Sequence, residues 1–341
     1  MSMRSRLHLH TAIACLGIIA AAASLLAMAP AQAHRTGHAP AGASPHVLTT
    51  IPVGRQPDNV AVDPVTDMIY VTEPAQYQVI DGKTNTIVAT VHMPSPQFSL
   101  AVDPVTDMIY ATDPSQLGVQ VIDGTTNTVV ALVRLGAAGY YIATNPVTDR
   151  IYVQARPLRP HIHVAVINGQ TNKVLTRVPS GAAVTEGIAT DPQTNMIYAA
   201  TFKPNAVVAI NGQTNTVAAT ITGVNPLGVA TDPQTDTVYA TEPEADGPGA
   251  VYVINGQTNT LTTAILGGFP EGIATDPRTD FAYAADIVDN DVMVIDGQTN
   301  TVTATVPVGK SPKSVAADAQ TNRIYVTNTG SRSVSVLAGA G

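Results

Sequence analysis

Asp63-Pro64-Val65-Thr66-Asp67-Met68-Ile69-Tyr70 is a phrase to which this 341-residue chain keeps returning. It recurs from Asp103, Asp191 and Asp232 with little change, and in variant form from Asn145, Asp276 and Asp318. The closing tyrosine always lies seven residues on: Tyr70, Tyr110, Tyr152, Tyr198, Tyr239, Tyr283 and Tyr325, at steps of 40, 42, 46, 41, 44 and 42 residues. A second phrase, [VA]-I-[DN]-G-x-T-N, follows in six of the seven units, its turn starting at Asp81, Asp123, Asn168, Asn211, Asn255 and Asp296. A period of about 40–50 residues belongs to propellers and solenoids.

Each unit reads as four short strands. In the sixth these are Gly272–Thr275, Phe281–Ala284, Val292–Ile295 and Thr301–Val306. Between the first two, Asp-Pro starts a turn, because Pro presets φ and the Asp side chain accepts the N–H groups just ahead. Between the last two, Asp-Gly or Asn-Gly is expected to supply a positive φ for the reversal. Helical periodicity appears nowhere outside the first 33 residues, so the chain reads as all-β: a seven-bladed β-propeller of four-stranded blades.

The seventh unit stops at Gly341, where its fourth strand should begin. That strand is found at the other end. His46-Val47-Leu48-Thr49-Thr50-Ile51-Pro52-Val53-Gly54 resembles Asn300–Gly309, the fourth strand of unit six and the link after it. An N-terminal strand that completes the last blade would remove the open seam of the ring.

Ile69-Tyr70-Val71-Thr72 and, more closely, Ile324-Tyr325-Val326-Thr327-Asn328 look like the YVTN signature. With Val294-Ile295-Asp296 and Thr299-Asn300-Thr301-Val302, they make residues 47–341 resemble the YVTN-repeat seven-bladed β-propeller family. The resemblance implies a bacterial exported or surface-layer protein, usually of no assigned activity. One periplasmic member binds DNA, and more distant relatives include lactonases and a metal-dependent lyase that opens cyclic peptide antibiotics. Fold does not carry function with it.

Residues 1–33 read as a secretory signal: Arg4 and Arg6, an uncharged run from Thr11 to Ala29, then Ala31-Gln32-Ala33 as a cleavage pattern. The same run is nearly long enough to span a bilayer, so a retained anchor is the alternative. Residues 34–46 read as a flexible linker and 47–341 as the propeller. The protein is expected to be secreted, periplasmic or at the cell surface, without a transmembrane segment once the signal is cleaved, and monomeric. Cys15, the only cysteine, leaves with the signal, which excludes disulfides and a thiol nucleophile. Without residues 1–33, 15 basic residues face 25 acidic ones, a formal −10. That charge argues against binding nucleic acid. No phosphate loop or G-x-S-x-G elbow is present. The absence of Trp and of mature Cys disfavours quinone-dependent propeller dehydrogenases.

Repeated residues answer first to repeated structure, so the turn aspartates and strand tyrosines read as turn formers and packing. Function is expected where the repeats differ. The residue five before each repeat aspartate reads Asp58, Phe98, Tyr140, Glu186, Leu227, Glu271 and Lys313 around the ring. The residue three after each tyrosine reads Glu73, Asp113, Ala155, Thr201, Glu242, Asp286 and Asn328, a second acidic ring where the family signature favours Asn. Both are expected on the variable loop face around the central channel. Converging carboxylates suit a hard cation, with Asp58, Glu186 and Glu271 as ligands for Ca²⁺ or Mg²⁺.

The reading is therefore an exported binding protein whose partner is a protein, a cell-wall component or a small molecule. The alternative is a divalent-metal-dependent lyase or lactone hydrolase at the channel mouth, with Lys313 stabilising charge. Phe98, Tyr140, Tyr141, Phe202 and Phe269 are candidate stacking residues. His161 with His163, or His34 with His38, are weaker metal candidates.

Overall fold

The computed structural model describes residues 44–156, 162–181, 184–243 and 248–341. The signal, nearly all of the linker, His34, His38 and His161 lie outside the described residues. The described residues form seven four-stranded antiparallel sheets and no helix. Blade one consists of Val60–Asp63 (β2), Met68–Glu73 (β3), Gln76–Asp81 (β4) and Thr86–His92 (β5). Five further blades repeat this order. The seventh has Pro312–Asp318 (β26), Arg323–Asn328 (β27) and Ser333–Ala338 (β28), and its fourth strand is His46–Pro52 (β1).

The closure is visible in register as well as in order. In each of six blades, the pairing of the third and fourth strands skips one residue: Val88, Val130, Leu175, Ala218, Thr262 and Thr303. The β1–β28 pairing skips Leu48 at the same place. The bulge strengthens the twist of the outer strand, and β1 carries the same device as the strands it resembles. Its side chains reach both neighbours: Val47 packs on the blade-six side with Val306 and Leu337, and Ile51 on the blade-one side with Val60, Ile69 and Val334.

The turns explain the repeated phrase. Asp63 Oδ1 accepts the N–H of Val65 at 2.8 Å, and Asp103, Asn145, Asp191, Asp232, Asp276 and Asp318 do the same in their blades. The fifth residue of each phrase, from Asp67 to Asn322, has φ of 49–59°, a region Asp and Asn tolerate better than most. In the second turn the expectation about glycine is corrected. The positive φ, 52–55°, belongs to the asparagine at the end of D-G-x-T-N (Asn85, Asn127, Asn172, Asn215, Asn259, Asn300), and the glycine has none. Glycine is required there by crowding: a Cβ at Gly82 would overlap the Asp67 carboxylate of the first turn. The two turns thus pack on each other, and Gly82 N–H donates to the Asp67 carbonyl at 2.8 Å.

The seven tyrosines are at most 1% exposed. Burial raises their pKa values, and in five blades the first-turn carboxylate of the next blade adds to it, as Asp107 does for Tyr70, Asp149 for Tyr110 and Asp280 for Tyr239. Hydroxyls also clasp blade to blade. Thr144, Thr190, Thr231 and Thr275, on the innermost strands, each donate to a carbonyl of the preceding innermost strand at 2.6–2.7 Å. Across the seam between blades seven and one, Thr327 donates to the Asp58 carbonyl at 3.0 Å and Thr329 to the Pro57 carbonyl at 2.7 Å.

Candidate functional site

The innermost strands begin around a cavity of about 420 Å³ that draws residues from all seven blades. Asp58, Phe98, Leu227, Glu271 and Lys313 of the first ring line it, together with Tyr141. Their placement is local in origin. In four blades the pairing of the first two strands breaks for two residues, leaving Tyr140-Tyr141, Glu186-Gly187, Glu271-Gly272 and Lys313-Ser314 off the ladder. Such bulges re-aim side chains away from the sheet. The residue after each ring position must be small where the next blade comes close. A Cβ at Gly187 would lie 2.8 Å from the Leu227 carbonyl oxygen, and one at Gly228 2.6 Å from that of Glu271.

Blade three departs from this rule. Tyr141 occupies the position that is Gly, Ser or Asn elsewhere, and its ring enters the mouth. Its hydroxyl donates to Glu186 Oε2 at 3.4 Å. Burial raises its pKa most, followed by the charges of Glu186 and Asp58 and, last, of Glu271. The phenol thus feels carboxylates from three other blades, of which Glu186 is its hydrogen-bond partner. Tyr140, the residue singled out by position in the repeat, does not line the cavity. Its carbonyl accepts from Thr112 at 3.0 Å, and its ring meets Phe98 edge-on, with centroids 5.1 Å apart. Phe98 meets Tyr141 edge-on as well, at 5.3 Å. The three rings form one aromatic corner, which Phe202 and Phe269 do not join; Lys203 lies over Phe202 at 5.2 Å.

The charged side is mixed. Lys313 Nζ is 2.6 Å from Asp58 Oδ1, an ion pair between blades seven and one. Both partners are partly exposed, so the pair contributes little stability. Burial raises the pKa of Glu271, with Lys313 lowering it and Asp58 raising it. Burial likewise raises Glu186, against the hydrogen bond from Tyr141. Among the described residues, no three His, Cys, Asp or Glu side chains gather closely enough to hold a metal ion. Of the three carboxylates expected as ligands for Ca²⁺ or Mg²⁺, Asp58 and Glu271 line the cavity, and Glu186 is hydrogen-bonded to the lining residue Tyr141.

The second acidic ring lies elsewhere than expected. Glu73, Asp113, Glu242 and Asp286 are buried within their blades and take up internal donors. Glu73 accepts from the Gly54 N–H and from Gln76. Asp286 accepts from the N–H groups of Phe269, Val288 and Asp289, and Glu242 faces the Asn225 N–H at 3.4 Å. Burial works to raise the Asp113 pKa, but hydrogen bonds from Ser95, Gln120, Gln116 and Ser115 outweigh it and hold the carboxyl below its ordinary value. These side chains cap loops and add nothing to the mouth. The signal was available: Asp113 and Asp286 each stand two or three residues before the N–H groups they accept, the spacing of the Asp-Pro turns.

Neither the family models nor the curated proteins offer a match to this chain. Among solved structures, it is similar to Kuenenia stuttgartiensis hydrazine synthase, with a TM-score of 0.72 and 16% identity over 84% of this chain and 95% of the other. The likeness is one of fold. It supports the seven-bladed β-propeller and carries no activity across.

Elsewhere, carboxyls are raised far more often than lowered. Burial and neighbouring carboxylates push Asp280 and Asp291 up to about 6, and burial raises Asp67, Asp149, Asp232, Asp236 and Asp276. A carboxyl whose folded pKa exceeds its unfolded value takes up a proton more readily in the fold, so acidification through that window stabilises. The melting temperature should therefore rise as the pH is lowered from 7.5 to 5; differential scanning calorimetry showing a steady fall over that range would contradict these assignments.

Proposed function

We propose that this chain is an exported binding protein that takes a small organic ligand in the mouth of its central channel. One observation carries the reading. Five of the seven side chains of the variable first ring, with Tyr141, line one cavity of about 420 Å³, with an aromatic corner on one side and charged groups on the other. That size falls within the range of small-molecule sites, and variable loops on a repeated scaffold are where such sites are built. Export is proposed on the sequence pattern of residues 1–33. The alternative, a divalent-metal-dependent lyase or lactone hydrolase at the channel mouth, would use Asp58, Glu186 and Glu271 as ligands; the ion pair that Asp58 forms with Lys313 favours the binding reading.

The test exploits the absence of tryptophan from the chain. In the variant Leu227→Trp, the sole indole stands at the mouth. Small aromatic and polyhydroxylated compounds that raise the melting temperature of the parent protein should shift its emission saturably. Compounds that stabilise the parent and leave that emission unchanged would move the site elsewhere.

A further inference from the structure

We infer that the ligand of the channel mouth is an organic ammonium carrying an aromatic or apolar body, an inference that rests on the mouth being the binding site. The charge balance is the first support. Asp58 and Glu271 line the cavity, Glu186 accepts a hydrogen bond from the lining Tyr141, and the one lysine lining the cavity is held by Asp58 at 2.6 Å. The lining therefore keeps one carboxylate, Glu271, beyond its own ion pair, with Glu186 beside it, which disfavours carboxylate and phosphate ligands.

The second support is Glu271. It is half-buried and lines the cavity, and its carboxylate accepts no hydrogen bond from the described residues, although its carbonyl accepts from Thr241. Beside it Lys313 is the cation that acts on its charge, and Lys313 is already paired with Asp58, so a donor from a ligand finds the Glu271 carboxylate open to it. An ammonium brings both the donors and the opposite charge, and charge-assisted hydrogen bonds of this type are the strong ones. A bare divalent cation would need six or more oxygens, and among the described residues no three His, Cys, Asp or Glu side chains gather to hold one.

The third support is the aromatic corner. Phe98 is braced edge-on by Tyr140 and Tyr141 at 5.1 and 5.3 Å, and Tyr141 is in turn tethered to Glu186. Ring faces attract cations, more so when desolvated, and they take up the apolar body of the same ligand. Carboxylates on one wall and aromatic rings on the other, within a space large enough for a ring and its ammonium arm, select for both features at once.

The experiment is isothermal titration of the chain from residue 34 onward, with benzylammonium, the neutral isostere benzyl alcohol, and calcium chloride as probes. Benzylammonium should bind at one site per chain and at least tenfold more tightly than benzyl alcohol. Glu271→Gln, whose melting temperature shows that it is folded, should weaken benzylammonium by tenfold or more and leave benzyl alcohol unchanged. Lys313→Met should tighten benzylammonium severalfold by releasing Asp58, a gain that damage to the fold cannot produce. Equal affinity for benzyl alcohol, still sensed by Leu227→Trp, would overturn the ammonium while leaving the mouth as the site. Stoichiometric calcium that displaces benzylammonium would overturn it in favour of a metal. No binding of any probe, with no change in Leu227→Trp emission, would overturn the mouth reading as well.

Discussion

Removing residues 46–52 should lower the melting temperature by about 10–20 °C, whereas removing residues 34–45 should leave it within roughly 2 °C. The strand β1 supplies the fourth strand of the last blade and pairs from His46 with Ala338 to Pro52 with Ser333. It also buries Ile51 and packs Val47 on the opposite side. Two such side chains are worth about 1.5–3 kcal/mol each. Loss of the ladder exposes β28, whose Val334, Val336 and Leu337 are fully buried in the intact ring. A total near 5 kcal/mol, at roughly 2–4 °C per kcal/mol for a domain of this size, gives the expected shift. Thermal unfolding followed by circular dichroism separates the two truncations. Equal melting temperatures would mean that the ring is not closed by this strand.

Asp113→Ala should destabilise the protein by about 3–5 kcal/mol, the range for breaking a buried hydrogen-bond network. The carboxylate is fully buried and accepts from Ser95 at 2.6 Å, Gln120 at 2.7 Å, Ser115 at 2.8 Å and the Gln116 N–H at 3.0 Å. Truncation leaves the buried donors of Ser95 and Gln120 without their acceptor, at about 1–3 kcal/mol each, whereas Ser115 and Gln116 are exposed and turn to water. The contribution has a pH signature opposite to that of Asp280. A depressed carboxyl stabilises above its unfolded pKa and loses that effect as pH falls toward the folded one. Asp58→Ala, at the mouth, should cost less than about 1 kcal/mol, because its ion pair is partly exposed. Urea titration of both variants distinguishes a structural ring from a functional one. Similar losses in the two would remove the distinction.

The contrast between those aspartates also shows what the sequence could and could not convey. The blade is legible because its devices are local: an Asp two residues before the N–H it accepts, an asparagine tolerating positive φ, a glycine beneath the turn above it. The completing strand is legible because Val47–Pro52 repeats a pattern found elsewhere in the chain. The ring of variable residues is legible as positions, since Asp58, Phe98, Leu227, Glu271 and Lys313 reach one cavity from five different blades. What each side chain does there is not local. Whether Tyr140 or Tyr141 enters the channel depends on a two-residue break in the pairing of Ala138–Asn145 with Arg150–Arg156, and periodicity does not mark it. Reading Glu73, Asp113, Glu242 and Asp286 as a solvent-facing acidic ring failed for the same reason. Their departure from asparagine is real, but the partners that absorb it, such as Ser95 and Gln120 for Asp113, arrive from other strands and loops.

Five residues of one divergent ring line one opening of the propeller, and the proposed function requires that a ligand enters there. The direct measurement is the emission of the Leu227→Trp variant titrated with benzylammonium, with and without the added substitution Glu271→Gln. A saturable shift that weakens at least tenfold with Glu271→Gln is the expected result. An emission that stays constant while benzylammonium raises the melting temperature of the parent protein would place the site away from the mouth and contradict the account.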